Sequence, residues 1–175
     1  MNQSDRGEFE AWIASVVARY EGPLIRYAAQ FTGDVDRARD VVQDAFVRLC
    51  REDRAQVDGH LAQWLFTVCR HRALDVRRKE KRMKAITEHQ TAAQASREEG
   101  QDTLVERQDR FERVQQVLAT LSENQQEVVR LKFQSGLSDR EISEVTDLSV
   151  SNVGFLLHTA LKKIRERLEA EGVLA

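Results

Sequence analysis

Residues that interrupt helices or cross-link chains are scarce in this protein. Its 175 residues include one proline, Pro23, together with eight glycines and two cysteines. So few turn-forming residues are typical of an all-α protein, and Cys50 and Cys69 by themselves form no disulfide framework. A reducing cytoplasm fits this cysteine content best.

Long apolar runs are missing as well. No stretch reaches the roughly 18 apolar residues that a membrane-spanning helix needs, so we expect no membrane insertion. Residues 1–10 are polar and acidic, unlike a secretory signal.

Motifs for catalysis are also missing. There is no glycine-rich phosphate loop, nucleophile elbow or paired-carboxylate pattern, so we expect no catalytic residue and no cofactor. His60, Cys69 and His71 lie close together in the sequence, but Cys69 falls on the apolar side of its predicted helix. A buried thiol is therefore favoured over a metal ligand, and no metal is expected.

One short block of the chain has a strong net positive charge. Residues 61–84 carry eight basic and two acidic side chains, a net charge of +6, whereas the whole chain has −2. The spacing predicts a helix from Leu61 to about Arg82 with one apolar face. Its other face is a basic stripe made of Gln63, Thr67, Arg70, Leu74, Arg77 and Lys81, flanked by Arg78. A solvated face is the alternative, but arginine forks suit phosphate, so we expect the basic stripe to contact nucleic acid.

The residues before this block predict further helices. The first covers roughly residues 9–20 and is broken at Gly22-Pro23, and the second runs over Leu24–Phe31. Gly33 closes it, and Asp34 caps the next helix.

That next helix is predicted over Asp36–Arg51. Its buried side would consist of Val41, Val42, Ala45, Phe46, Leu49 and Cys50. A charged loop, Arg51–Asp58, then leads to Asp58 as the cap of the basic helix.

The last third of the chain predicts a helix-turn-helix. Ser122 with Gln125 and Ser138 with Glu141 can form capping boxes that start two helices. Ile142 and Val145 face inward. Residues 147–149 then form a tight turn, and a third helix begins at about Val150. The apolar side of that helix consists of Val153, Leu157, Ala160, Leu161, Ile164 and Leu168. A plain three-helix bundle shares this apolar pattern, but the capping boxes favour a motif that places one helix in the major groove.

The outward side of the third helix is termed the reading face here. It consists of Ser151, Asn152, Phe155, Thr159 and Lys162, with His158 at its margin. Hydroxyl and amide groups bind base edges, and aromatic groups contact thymine methyls. Lys162 is its single charged residue, so phosphate contacts must come from Arg130, Lys132, Arg140 or Lys163.

These patterns predict two small helical domains joined by a flexible linker. The N-terminal module covers residues 8–84 and the C-terminal module residues 111–170. Residues 85–110 are rich in Gln, Glu, Thr and Ala, a composition that cannot offset its ordering entropy. Fully stretched, this linker would reach about 80 Å, so the modules could sit far apart on one partner.

At this point the chain resembles a known family, the bacterial RNA polymerase sigma factors of the extracytoplasmic-function class in the sigma-70 family. Asp40–Leu49 resembles the segment that binds the polymerase clamp. Trp64–His71, continued to Arg78, resembles the helix that handles the minus-ten element. Leu121–Arg167 resembles the module for the minus-thirty-five element.

The resemblance implies a subunit without enzymatic activity that directs promoter-specific initiation of transcription and helps to melt DNA. Core RNA polymerase would be bound through its β′ clamp and β flap, promoter DNA would be read at two elements, and an anti-sigma factor would inhibit a protein that is monomeric when free. The clamp contacts implied are Asp40, Gln43, Asp44, Phe46, Arg48 and Leu49. The minus-ten contacts are Trp64, Thr67, Arg70, His71, Arg77, Arg78 and Lys81, with loop Arg51–Asp58 accepting a flipped base. The minus-thirty-five contacts are Arg140, Ser151, Asn152, Phe155, His158, Thr159 and Lys162.

Two departures from the family pattern stand out. His71 takes the place of a usual asparagine, and residues 152–156, Asn-Val-Gly-Phe-Leu, replace a common Thr-Val-Lys-Ser-Arg pattern. The preference for bases at the upstream element should therefore differ from the common one.

Two other functions fit parts of the pattern. One is a stand-alone helix-turn-helix regulator with an N-terminal sensor or dimerisation module, which should offer a ligand cavity or a dimer interface. The other is a metal-dependent hydrolase on a helical bundle, which metal analysis of the purified protein would detect.

Overall fold

The computed structural model describes residues 3–87 and 116–170, and within these ranges the chain is helical with no strand. The N-terminal module contains α1 (Gln3–Thr32), α2 (Val35–Leu49), the short α3 (Arg54–Val57), a 3₁₀ turn (Asp58–His60) and α4 (Leu61–Thr87). The C-terminal module follows from helical residues 116–119 with α5 (Glu123–Phe133), α6 (Asp139–Thr146) and α7 (Val150–Ala170). The predicted all-α architecture with two helical domains is confirmed. Helix α4 extends to Thr87, beyond the predicted end, and residues 88–110 of the predicted linker lie outside the described ranges.

The predicted break at Gly22-Pro23 is wrong, because α1 continues through Pro23. A proline inside a helix removes one backbone hydrogen bond and costs about 3 kcal/mol. Here the turns on both sides of Pro23 pack into the core through Val16, Leu24 and Tyr27, which are almost fully buried. We infer that this burial holds the helix together across the proline.

The predicted signals between α1 and α2 are confirmed. Gly33 adopts a φ of +67°, which glycine tolerates, and its amide donates to the carbonyl of Ala29 over 2.8 Å. The Asp34 carboxylate accepts a hydrogen bond from the amide of Asp36 over 2.9 Å and so caps α2. Of the predicted buried side of α2, Cys50 is wrong, since it is exposed as the C-terminal cap of the helix.

The predicted loop over Arg51–Asp58 is only partly correct. Asp53 accepts a hydrogen bond from the amide of Ala55 over 3.0 Å and caps α3, a single turn anchored by the buried Val57. Asp58 begins the 3₁₀ turn before α4 rather than capping that helix directly.

The helix-turn-helix forms as its capping signals predict. Both capping boxes are present, at Ser122 and Ser138, and Asp147 ends α6 in the left-handed conformation with a φ of 60°. Ile142 and Val145 are fully buried, as predicted. On α7 the inward side also forms as predicted except for Leu161, which is 44% exposed.

The two modules pack against each other in this structure. Helix α6 lies against α4, and side chains of α5 reach α1 and α4. The sequence allowed the modules to be separated, whereas here they share an interface. Among the described residues, no helix is both long and apolar enough to span a bilayer.

Candidate nucleic-acid interface

The basic stripe of α4 lies at the interface between the modules. Leu65, Phe66, Cys69 and Ala73 are buried on the opposite side of α4, inside the N-terminal module. The stripe residues from Gln63 to Arg77 are all half-buried, and Lys81 at the far end is exposed. Helix α6 of the C-terminal module packs onto α4, so much of the stripe is not open to solvent.

Arg70 is the most enclosed charge of the stripe. Its Nε donates to Oε1 of Glu127 over 2.8 Å, and its Nη1 lies 3.5 Å from Oδ2 of Asp147. The Tyr27 hydroxyl donates to the same Glu127 oxygen over 2.7 Å. The side chain of Arg70 is 16% exposed and that of Glu127 is 9% exposed. One buried carboxylate therefore joins helices of both modules.

The environment of this cluster favours a charged arginine. Burial by itself lowers the pKa of Arg70, but Glu127, through its charge and its hydrogen bond, outweighs burial and raises the pKa. Burial, followed by the charge of Glu127, raises the pKa of Tyr27 well above its usual value, so its hydroxyl stays protonated and donates. Sequence reasoning missed Glu127, although it stands four residues before the fully buried Leu131 and so shares an inward helix face.

The other minus-ten candidates differ in exposure. Arg77 pairs with Glu123 of α5 over 3.4 Å and is half-buried. Arg78 pairs with Asp75 on its own helix over 3.2 Å and is 69% exposed. His71 and Lys81 are exposed. The end of α4 therefore offers open basic groups that the middle of the stripe does not.

The side chains of Trp64 and Thr67 make contacts within the protein. Trp64 is half-buried and packs against the hydrophobic core. The Thr67 hydroxyl donates to the carbonyl of Gln63 over 2.9 Å. Burial raises the pKa of the neighbouring Cys69 thiol to about 12, which makes it an inert core residue, as predicted.

A polar cleft of about 370 Å³ opens where the 3₁₀ turn meets α4. Its walls include Trp12 and Tyr20 of α1 and His60 of the turn. Glu141 of α6 completes the lining, so the C-terminal module reaches this cleft too.

The reading face of α7 is open by contrast. Ser151, Asn152, His158 and Lys162 are exposed, and the Phe155 side chain is 64% exposed. Thr159 is half-buried instead: its hydroxyl accepts from Nε2 of Gln125 over 3.0 Å and donates to the carbonyl of Phe155 over 2.9 Å. Thr159 therefore ties α7 to α5 at the edge of the reading face.

Gly154 stands in the middle of the open helix. A Cβ atom built there would meet nothing within 4 Å, apart from its own helix backbone and chain neighbours. Packing within the protein therefore does not require a glycine at this position.

The basic residues expected around the reading face are placed unequally. Arg140 is 85% exposed and lies 3.7 Å from Glu144 on the same helix. Lys132 donates to Asp139 over 2.7 Å, and Lys163 lies 3.4 Å from the side-chain oxygen of Gln125. Arg130 is half-buried, and burial lowers its pKa. Arg140 and Lys163 are therefore exposed, whereas Arg130 and Lys132 are half-buried.

Comparison with known proteins identifies both modules. A family model for sigma-70 region 2 matches residues 16–83, and one for sigma-70 region 4 matches residues 111–164. The extracytoplasmic-function RNA polymerase sigma factor SigL of Mycobacterium tuberculosis is 30% identical over 157 residues, which cover 86% of this chain and 85% of that relative. The chain belongs to the extracytoplasmic-function sigma factors. It therefore binds core RNA polymerase and directs promoter-specific initiation of transcription.

Other relatives and solved structures agree with this assignment. The sigma factor YlaC of Bacillus subtilis is 25% identical over 160 residues, covering 89% of this chain and 91% of that relative. The structure of CnrH with the cytosolic domain of CnrY superposes with a TM-score of 0.59 at 26% identity, over 92% of this chain and 90% of that one. The sigma factor RpoE of Bartonella quintana, in complex with the anti-sigma factor NepR, gives 0.64 at 21% identity over 89% and 96%, a likeness of fold.

The clamp candidates of this sigma factor lie on α2. Asp40, Gln43, Asp44 and Arg48 are exposed, and Asp44 accepts a hydrogen bond from Arg72 of α4 over 2.8 Å. Phe46 is half-buried, and the neighbouring Val47 is 47% exposed. Leu49 is fully buried, so it supports this face from beneath and does not reach the surface.

The sigma factor also has an apolar groove that sequence reasoning did not find. It has a volume of about 280 Å³ and lies in the C-terminal module between α5, α7 and the helical residues before α5. Its lining includes Val117, Leu118, Val129, Phe133, Leu161, Ile164 and Leu168, with Arg130 beside them. The exposed Leu161 on the apolar side of α7 belongs to it. In the sequence, the residue that could have indicated the groove is Phe133, an aromatic residue at the end of α5. In the structure its side chain is 62% exposed.

Proposed function

We propose that the two modules divide promoter recognition between them. The N-terminal module, residues 8–84, would dock on the β′ clamp and hold the minus-ten element, and the C-terminal module, residues 111–170, would read the minus-thirty-five element. The observation that carries this division is the open reading face of α7, which presents amide, hydroxyl and aromatic groups around Asn152 and Phe155 with little charge. Such groups recognise base edges, whereas arginines mainly bind phosphate.

Helix α4 supplies the phosphate contacts in this proposal. Arg78 and Lys81 are exposed, whereas Arg70 and Arg77, which pair with Glu127 and Glu123, would bind phosphate only once those pairs open. A non-template strand would follow this row of charges as the duplex opens. The cleft beside the 3₁₀ turn, with Trp12 and Tyr20 in its walls, has aromatic surface on which a flipped base could stack.

Two surfaces are suited to core polymerase. On α2, acidic and amide side chains surround the exposed Val47, a mixture common at protein interfaces. In the C-terminal module, the apolar groove fits the side chains of an amphipathic helix, and we assign it to the β flap. Two separate contacts on one polymerase raise the effective concentration of each module for the other site.

An anti-sigma factor is the second protein partner in this proposal. CnrH and the RpoE of Bartonella quintana, which share the fold, were each solved with a partner, the cytosolic domain of CnrY and the anti-sigma factor NepR. We propose that this sigma factor has a cognate inhibitor of the same kind, and that it acts in the cytoplasm, where core polymerase meets the chromosome. The proposal includes no enzymatic activity, since sigma factors are not an enzyme class.

The test is run-off transcription with core polymerase and genomic DNA, with start sites mapped and melting followed by permanganate reactivity. We expect the double variant R78A/K81A to lose promoter melting while still associating with core polymerase. K79A/R82A is the matched control, because it removes two positive charges from exposed positions on the other side of the same helix. Normal melting by R78A/K81A would show that α4 does not hold the open strand.

A stand-alone regulator is the competing function. It predicts tight binding of the free protein to a duplex site and no dependence on core polymerase. Transcription that starts only when core polymerase and this protein are both present would exclude it.

A further inference from the structure

Charged side chains are missing from the part of α7 that would enter the DNA groove. Residues 148–161 contain no Asp, Glu, Lys or Arg, and α7 begins at Val150. In a helix-turn-helix, residues near the N-terminal end of the recognition helix contact the base edges. The first turns of α7 therefore meet the bases without a charged side chain.

This absence excludes two kinds of base contact by α7. Guanine is most often recognised by an arginine or lysine that donates to its O6 and N7 atoms, and cytosine by a carboxylate that accepts from its N4 amino group. On the reading face the first basic residue is Lys162, about three turns into the helix, and it lies 3.9 Å from Glu166. The first turns of α7 therefore lack the side chains that single out a G·C pair.

Two side chains in the first two turns of α7 are available for bases. Among the described residues, the side-chain amide of Asn152 has no hydrogen-bond partner, and its backbone N–H donates to the Ser149 hydroxyl over 3.2 Å. The ring of Phe155 is 64% exposed. The other hydroxyls of the reading face have internal partners: that of Ser151 lies 3.2 Å from the Ser149 hydroxyl, and that of Thr159 donates to a backbone carbonyl. Asn152 and Phe155 are thus the free groups of these turns.

Both of these side chains suit an A·T pair. The amide of an asparagine accepts from N6 of adenine and donates to its N7 at the same time. Thymine presents a C5-methyl group in the major groove, and an aromatic ring contacts it. Contact with that methyl also removes exposed apolar surface of the ring from water. Each side chain therefore favours one member of the same kind of base pair.

The spacing of the two residues places them over neighbouring base pairs. Residues three apart on a helix have Cβ atoms about 5–6 Å apart. Successive base pairs are about 3.4 Å apart along the DNA axis. Asn152 and Phe155 therefore meet base pairs that are one or two steps apart.

We propose that α7 reads an upstream element built on A·T pairs. Asn152 binds the N6 and N7 atoms of an adenine, Phe155 contacts the methyl of a thymine one or two pairs away, and the first turns of α7 read no guanine or cytosine. The proposal rests on the assignment of the C-terminal module to the minus-thirty-five element. It names Asn152 and Phe155 as the residues that set the choice of promoter there.

The first test uses a promoter mapped by run-off transcription, with its upstream element randomised. Transcription by the wild-type holoenzyme, followed by sequencing of barcoded transcripts, gives the base preference at each position. We expect two positions, one or two steps apart, where an A·T pair is preferred, about tenfold at the adenine and about fourfold at the thymine.

Two alanine variants assign these positions to residues. Asn152→Ala should lose the preference at the first position and Phe155→Ala at the second, each leaving the other preference in place. Both side chains are exposed, so circular dichroism should show unchanged helix content. Glu169→Gln is the matched control at an exposed position near the far end of α7 and should keep both preferences. Folded alanine variants that keep both preferences would overturn the proposal.

Modified bases test the same contacts without a change in the protein. Deoxyuridine in place of thymine removes the methyl group, and 7-deazaadenine in place of adenine removes the N7 acceptor. We expect each to lower transcription by the wild-type holoenzyme about fourfold or more. Deoxyuridine should not affect Phe155→Ala, and 7-deazaadenine should not affect Asn152→Ala. Equal losses in the wild type and in the matching variant would refute direct contact.

This proposal and the assignment of the module fail in different ways. If the wild-type holoenzyme shows no preference at any randomised position, α7 does not read the upstream element, and the inference fails with that assignment. If the positions that depend on Asn152 or Phe155 prefer G·C pairs, α7 reads the upstream element but the choice of A·T pairs is wrong.

Discussion

The two helices that we assign to DNA contacts differ in chemistry and in exposure. Helix α4 presents arginines, and the middle of its basic stripe is covered by the other module. Helix α7 presents an amide, hydroxyls and the ring of Phe155, and it stays open. The difference follows from chemistry, because a row of arginines attracts carboxylates of its own chain as readily as phosphates. A reading face with little charge has no such internal competitor.

The difference between α4 and α7 also bears on which contacts give affinity for DNA and which choose the promoter. Contacts between arginine and phosphate do not depend on base sequence and weaken with salt. Contacts to base edges depend on sequence and carry the choice of promoter. The largest effects of mutation are therefore expected where the arginines are buried, and the most selective effects where α7 is open.

Two arginines of α4, one buried and one exposed, should differ most in their contribution to stability. Arg70→Ala leaves Glu127 buried without its charge partner, and losing one member of a buried pair costs about 3–5 kcal/mol. Arg78→Ala removes an exposed pair worth less than about 1 kcal/mol. Chemical denaturation of the free protein measures both. Similar free energies of unfolding for the two variants would mean that the buried pair contributes no more than a surface pair.

A second pair of variants, both in α7, should distinguish the choice of promoter from the overall affinity for promoter DNA. Phe155→Ala should change which promoters are used, with a loss of about 1–3 kcal/mol at sites whose bases the ring contacts. Lys162→Ala should weaken all promoters to a similar, smaller extent. Mapping start sites across a genomic template with each holoenzyme gives the measurement. A uniform loss with Phe155→Ala would place the ring outside base recognition.

Loss of the Ser138 cap should have a smaller effect on the free energy of unfolding, and that effect should depend on pH. Ser138→Ala removes the cap of α6 and should lower the free energy of unfolding by about 1 kcal/mol. Hydrogen bonds from the Ser138 hydroxyl and amide lower the pKa of Glu141 below its usual 4.5. A lowered pKa in the folded state adds stability above pH 4.5 that is lost as the pH falls through the folded-state value.

We therefore expect thermal unfolding between pH 6 and pH 3 to show that Ser138→Ala loses less stability on acidification than the wild type does. The stabilities of the two proteins should approach each other at the acidic end. The range extends about two units or less to either side of the usual pKa of glutamate, so the carboxylate titrates within it. Parallel curves over this range would show that the Ser138 bonds do not link stability to protonation.

The smallest expected effect is a gain. Gly154→Ala should stabilise the helix by about 0.5–1 kcal/mol, because alanine has the higher helix propensity and its Cβ meets no neighbour. If DNA approaches the backbone closely there, the same variant should transcribe less from promoters that depend on the upstream element. Unchanged transcription together with higher stability would show that the glycine serves neither packing nor DNA.

Much of the fold was predictable because its signals act over one or two turns. The capping boxes at Ser122 and Ser138 and the turn at Gly33 formed as predicted. The break at Pro23 did not, because burial on both sides of the proline overrides a local preference. Candidate site residues could be placed on helix faces from spacing, and spacing placed Leu49 on the buried side of α2, where the structure has it fully buried. The family resemblance made the same residue a clamp contact, which its burial does not allow.

The sequence by itself determined most of the helices, the basic stripe and the reading face, because periodicity and caps are properties of neighbouring residues. The continuity of α1 through Pro23 and the short helix α3 were not among them. Only the tertiary structure decided that the stripe is covered and that an apolar groove opens in the C-terminal module. Arg70 and Glu127 stand 57 positions apart, and no pattern of neighbours records their contact. Pairing of this kind depends on how whole surfaces fit in shape and charge, which is settled when the modules pack.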